Sequence, residues 1–530
     1  MKRKLVLFAS LAVGIATRIP PVHGGPAAKP PEFAQVPSWS RDDLDFFLHG
    51  SMSTEFVPET VMRAFIRTYP DLFPTDDLSH LGLIPDRAFG WPVGFSRRKV
   101  PHLGGLPAVG INCASCHVAD IAPAGGGAPV RVLGTTAFFD AEAFFGSVIV
   151  ATFRTADPAN MRKYLAACLA VNDPAGGEKA QEAFAAEWDR QAEKIAVAMK
   201  AGPSKNPAPG GLLPITASDL QLDRETLSKG ADLPKVARAT LDLLHNMRAA
   251  VHIPDQPPEK MPPASGPGRN DAFGILSFAL FGVPQPYAPV KFGLVWNLDQ
   301  RPWVHWDGNT RSPLGRNILA ALGLGAPLIG HHGALEFAFV KRQTDLSEKI
   351  RAPRYPFAID VAAAKRGAAH FEARCASCHA GPESDLRLHD PAETGTEPTR
   401  ARAFSQAQAG YFNKFFAELE TPGYEPPKEA PIRSTGKYFA ATLAGVWARS
   451  PYLHNGSVRT MRELLTPPAA RASTFHRGSR TFDPAAMGCT DEGPYVLDTT
   501  ATGNSNAGHD YGSDLSEDQK RDLIEFLTTQ

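Results

Sequence analysis

Two short runs share one form: Cys113-Ala114-Ser115-Cys116-His117 and Cys375-Ala376-Ser377-Cys378-His379. Each is the Cys-x-x-Cys-His pattern that fixes a c-type haem, in which both thiols add to the porphyrin's vinyl groups. The adjacent histidine then lies under the ring as the proximal iron ligand. The alternative is a pair of redox or zinc Cys-x-x-Cys sites with a chance histidine. Identical repetition of so rare a run argues against it, so two covalently bound haem c groups are expected. Their attachment residues are Cys113, Cys116 and His117 for one, and Cys375, Cys378 and His379 for the other. Cys168 and Cys489 are isolated in sequence, and the choice between a disulfide and two buried thiols stays open.

The elements that position these runs follow from pattern. Lys2, Arg3 and Lys4 precede an apolar stretch from Leu5 to Ala16, and Pro20 and Pro21 end it. That is the form of a signal peptide over residues 1–24, too short for a membrane span. A periplasmic or secreted protein is expected, with no membrane span in the mature chain. Apolar residues make up 43% of the chain, enough for buried cores. Lys plus Arg equals Asp plus Glu at 55 each, so no basic footprint for nucleic acid is present.

Helical spacing predicts helices over Asp42 to Met52 and Val57 to Phe73, with a Gly/Pro-rich approach to the first haem run. A turn-rich stretch, Ala122 to Val130, precedes a segment dense in Phe138, Phe139, Phe144, Phe145 and Phe153. Residues 157–260 read as a helical insertion, and an aromatic zone follows from Phe273 to Trp306. Ile359 to His370 predicts a helix running into the second haem run, with Gly367, Phe371 and Cys375 four apart. Leu515 to Leu527 predicts a capped terminal helix that packs over it. The expected fold is mainly α, with two cytochrome c-like haem domains at 25–350 and 351–530, long loops, and the insertion in the N-terminal half.

Each iron has a second axial position. Downstream of His379, the candidates are His389, His454, Met461, His476, Met487 and His509. After His117 there is no histidine before His245 and no methionine before Met161. The first iron is therefore expected to be open, with a distant histidine such as His305 as the alternative ligand. A wall of Gly, Ala, Pro and Phe suits an apolar substrate; a peroxidase needs a general acid–base pair to break the O–O bond. Glu142 is the nearest carboxylate for that task, and plain core packing is the other reading of the phenylalanines.

The stretches Tyr452-Leu453-His454-Asn455-Gly456-Ser457-Val458, Gly503-Asn504-Ser505-Asn506-Ala507-Gly508-His509 and Trp306-Asp307-Gly308-Asn309 resemble the bacterial di-haem cytochrome c peroxidase superfamily. The pattern is nearest the exported di-haem oxygenases, the rubber oxygenase and fatty-acid dioxygenase branch, and His49-Gly50-Ser51 with Asn112 fits that branch too. The resemblance implies that the N-terminal haem reacts with dioxygen or peroxide while the C-terminal haem transfers electrons. It implies His509 as the distal ligand of the second haem, with Met487 as rival, since Met is used on the superfamily's high-potential haem. It places a tryptophan between the cofactors (Trp296, with Trp306 nearer the reactive haem); His454 is expected beside the second haem from its position in the sequence, bonding a propionate or holding the loop. It also implies a calcium ion near Asn297 and Asp299. The expected partners are a small oxidant, an apolar organic substrate and a small redox protein. Oxygenase, peroxidase proper and a non-catalytic electron carrier stand as the alternatives.

Overall fold

The computed structural model describes residues 34–103, 105–155, 158–172, 265–326, 335–380 and 387–530. The expected signal peptide lies outside the described residues, as does the helical insertion beyond its first helix, Pro158–Asn172.

The mainly α fold with two cytochrome c-like domains is not what forms. Among the described residues the chain is mixed α/β, with 15 helices and strands gathered in several small sheets. The strands run from two to six residues, as in Val57–Pro58 and Val118–Pro123. Segments so short cannot display the alternation that marks a strand in sequence. The stretch after the first haem run is such a case: Val118–Pro123 and Val130–Leu133 pair antiparallel. Thr481–Asp483 then pairs in parallel with Val118–Pro123, and Gly488–Cys489 extends the sheet to four strands. This sheet joins strands from both sides of residue 350. One apolar core likewise runs from Val36 to Leu527, and a second collects Val57 to Tyr164 around Phe65, Phe139 and Phe144.

The first haem run is a five-residue helix, Cys113–His117, capped by Asn112. The Asn112 side chain accepts from Ala114 N at 2.9 Å and donates through Nδ2 to Gly50 O at 2.9 Å. Gly94 lies so close that a Cβ there would sit 2.2 Å from Ser115 N, so this position admits only glycine. The helix Arg41–His49 forms one residue ahead of its expected span and ends earlier, and Glu59–Thr68 forms inside its own, both shorter than expected.

Around the second run, the helices Val361–Arg374 and Glu517–Thr528 cross as the spacing implied. Phe371 packs on Phe526 with ring centroids 5.0 Å apart, and Arg366 forms a bidentate pair with Asp522. Ser516 caps the terminal helix reciprocally with Gln519. Gly367 lets the backbones touch, since a Cβ there would stand 2.0 Å from Asp522 O.

Gly367→Ala should therefore destabilise the fold by about 1–3 kcal/mol in denaturant unfolding, because backbone must move. Gly410→Ala, in the helix Gln406–Glu418 with nothing near its Cβ position, should be neutral or stabilising by up to about 1 kcal/mol.

Candidate haem sites

The C-terminal site is built from three segments. His379 donates from Nδ1 to Ala441 O at 3.1 Å, which fixes the ring and leaves Nε2 for a metal. Across from it, the His509 ring centroid lies 6.3 Å away at an interplanar angle of 57°. Ligating imidazole nitrogens sit about 2.0–2.1 Å from a metal, so two rings gripping one ion have centroids roughly 6.4 Å apart. Burial pushes His509 down to about 4, with the neighbouring His379 adding to the effect, so its ring is neutral. Cys375 and Cys378 are partly exposed at the rim, and burial raises the Cys375 thiol to about 11.

His509 takes a left-handed backbone conformation, φ 49°, at the end of the Gly- and Asn-rich stretch 503–509. Arg471 holds that loop. Its Nη1 donates to Asn506 O and Gly508 O at 2.6 and 2.8 Å, and its Nη2 to His509 O and Leu464 O at 3.1 and 3.0 Å. Nε donates to Thr466 O at 3.1 Å. One guanidinium thus satisfies five carbonyls. Met487, the rival ligand, is fully buried in the apolar core, where its carbonyl accepts from Tyr452 OH at 2.9 Å.

The N-terminal site is different. Among the described residues the ring that packs on His117 is Phe292, edge-on at 6.3 Å, and no second histidine stands at the separation of the His379–His509 pair. Burial, reinforced by the charges of Arg316 and His305, pushes His117 down to about 3. His117 and Cys116 are half-buried, and burial raises the Cys116 thiol to about 12. Cys113 Sγ contacts Met52 Sδ at 3.6 Å. The phenylalanines expected over this site are mostly core: Phe139 and Phe144 are fully buried, and the Phe153 side chain lies outside the described residues. Glu142 accepts from Ser265 N at 2.9 Å and from Ser265 Oγ at 2.6 Å, so its carboxylate is already occupied.

The segments holding the two sites meet at Trp296. Gly134 N donates to His117 O, Val295 N donates to Gly134 O, and Trp296 Nε1 donates to Ala444 O, three residues beyond the His379 acceptor. Trp296 is fully buried. Trp306 donates from Nε1 to Lys291 O at 3.0 Å, one residue from Phe292. His454 stacks on Tyr438 at 4.3 Å, with Nε2 3.1 Å from its hydroxyl and 3.6 Å from Glu397. Asp299 is engaged by Arg351 in a bidentate pair at 2.7 and 2.9 Å, and no cluster of three metal-capable side chains is found among the described residues. Cys168 and Cys489 are free buried thiols in separate cores.

The residues present fit haem c. Arg316, beside Cys113 and Cys116, has Nε and Nη2 buried without a partner, and so do Arg269 at Nε and Nη1, Arg400 at Nε and His454 at Nδ1. A buried guanidinium is strongly unfavourable without an acceptor. Porphyrin propionates are acceptors of the right charge. None of these arginines was singled out in the sequence, where an arginine carries no sign of its burial.

Arg471→Lys should cost about 2–4 kcal/mol in chemical denaturation, because a single ammonium leaves several buried carbonyls unpaired. Hydrogen exchange of residues 503–512 should rise in the same variant.

A family model described as RoxA-like, cytochrome c-like matches residues 436–476, the segment that carries Tyr438, Ala441, Ala444 and His454. The uncharacterized protein y4iM of Sinorhizobium fredii is 30% identical over 345 residues, covering 54% of this chain and 76% of that protein. A second uncharacterized protein of that organism, y4iJ, is 25% identical over 606 residues, covering 93% of this chain and 92% of that one. The chain therefore belongs to the same family as y4iM, and its RoxA-like, cytochrome c-like segment makes it a haem-containing oxidoreductase that holds haem c covalently.

Proposed function

We propose that this protein is an exported di-haem c-type oxidoreductase. The site at Cys113–His117 is where dioxygen or peroxide reacts, and the site at Cys375–His379 relays electrons. The observation that carries this reading is an asymmetry: His509 stands opposite His379 at ligand spacing, whereas His117 faces a phenylalanine edge. When bound, haem c supplies one-electron redox chemistry and, at an open iron position, a place for a small oxidant.

The chain's own residues divide the work. His117 and His379 would each hold a haem iron, and His509, on the loop held by Arg471, would be the second donor at the relay site. Bis-histidine ligation lowers the relay potential relative to a His/Met pair. Trp296 lies on the route between the sites, and Trp306 lies nearer the reactive one. His454, with its unpartnered Nδ1, and Arg269 are the donors for haem carboxylates. No helix among the described residues is long and apolar enough to cross a membrane. An apolar organic substrate and a small redox protein are the partners this reading calls for. A calcium ion near Asn297 would have to compete with Arg351 for the Asp299 carboxylate.

Carbon monoxide should bind the reduced protein at one haem of two. Binding at neither would leave a pure electron carrier. His117→Ala should abolish oxidant chemistry while the second haem stays attached. His509→Ala should convert the second haem from low to high spin in its optical spectrum; an unchanged spectrum would remove His509 from the ligand set.

A further inference from the structure

Tyr511 is exposed to solvent at 37% and touches a candidate ligand: its ring meets that of His509 edge-on, with centroids 5.3 Å apart at 81°. A single exposed aromatic ring is ordinary; the surroundings of this one are not. The His509 loop lies against the short helix Pro391–Thr394, where His509 N donates to Thr394 O at 2.8 Å and Gly508 lies on Gly395. On the other side, Arg374, the last residue of the helix that leads into the second haem run, holds Asp514 in a bidentate pair at 3.3 and 2.7 Å. These contacts gather residues 374–380, 387–396 and 507–514 around the second site. Together they carry four carboxylates, Asp390, Glu393, Asp510 and Asp514. Against them stand two guanidiniums: Arg374, paired with Asp514, and Arg387, which reaches Ala380 O at 3.4 Å. Glu393 and Asp510 are exposed and enter no ion pair among the described residues. Cys375 and Cys378 are partly exposed at the same rim. The whole chain is neutral, so the excess of negative charge here is local.

We infer that the Tyr511 face is the docking surface for an electron-carrying protein that presents positive charge around its own redox centre. Tyr511 is the side chain through which the electron passes between that carrier and the His509 side of the relay site. The inference rests on the reading of the Cys375–His379 site as the relay, and it adds the face, the charge and the contact residue of the partner. In the step itself, the carrier loses one electron and the iron at the second site gains it. No bond forms or breaks, and Tyr511 keeps its proton. Electron-transfer encounters are small, burying less than about 1,200 Å². One exposed ring among carboxylates is therefore surface enough, and complementary charge sets how fast the partners meet.

The test runs the step in reverse on reduced, oxygen-free holoprotein, because bis-histidine ligation lowers the potential and makes that direction downhill. One electron acceptor is a small basic cytochrome c, which must dock; the other is benzoquinone, small and neutral, which need not. Glu393→Lys and Asp510→Lys together should slow transfer to the cytochrome by about tenfold or more at low salt. The difference should fade near 1 M salt, where charges are screened beyond about 3 Å. Calorimetric titration of the two oxidised proteins should show the same loss as weaker binding. Tyr511→Leu should slow transfer to the cytochrome about tenfold at either salt. In every variant the benzoquinone rate and the low-spin spectrum of the second haem should stay as in wild type. If Asp510→Lys disturbs that spectrum, Glu393→Lys alone, outside the ligand loop, decides the question of charge. Unchanged or faster transfer to the cytochrome in the lysine variants would overturn the docking surface. Equal slowing of both acceptors in Tyr511→Leu would overturn its role as contact and leave it a support for His509. A wild type whose second haem passes no electron to either acceptor would instead bring down the relay reading.

Discussion

The interior of this protein concentrates positive charge that its own side chains do not neutralise. Arg269 and Lys291 are essentially fully buried and Arg316 nearly so, and burial lowers the proton affinity of all three. Lys291 settles its account with the carbonyls of Arg449 and Pro451, and burial drives it toward the neutral amine. Arg269 and Arg316 have no comparable resolution: each keeps two N–H donors without an acceptor. Isolated buried charge is among the strongest destabilising features a fold can contain. The surroundings of the first Cys-x-x-Cys-His run, with Arg316 beside its thiols, are thus arranged for anionic groups brought by a cofactor, and the fold and its haem chemistry are one energetic problem.

The two sites solve that problem differently. At the C-terminal one, a long-range clamp from Arg471 sets a strained loop so that His509 meets His379 across a metal-sized gap. Hydrogen bonds there go to backbone carbonyls, which are insensitive to side-chain rearrangement. At the N-terminal one, the Asn112 cap and the Gly94 contact fix the haem run itself, while the ring that packs on His117 is Phe292. Rigidity serves the placing of two facing imidazoles in one case and of the haem run's own backbone in the other.

How much of this was legible in the sequence depends on the range of the signal. The Gly367–Phe371–Cys375 spacing and the capped start of the terminal helix are local patterns, and the structure reproduces their geometry. The class of fold was not legible: strands as short as Thr481–Asp483 pair through contacts hundreds of residues distant, and no alternation announces them. The Phe138–Phe145 cluster looked like a pocket wall because aromatic density does not reveal which side faces the cofactor; Phe139 and Phe144 went to core. His305 was visible only as a remote alternative ligand. Its Nδ1 meets Asn309 Oδ1 at 2.8 Å from a left-handed turn that sequence does not specify.

The parallel pairing of Ala122 and Pro123 with Thr481 and Phe482 has a bearing on biogenesis. The strand that leaves the first haem run waits for its partner until residues 481–489 have come into place. Contacts so distant in sequence form slowly. Closure of the sheet beside the first run is therefore a late event in folding, governed by a segment more than 350 residues downstream.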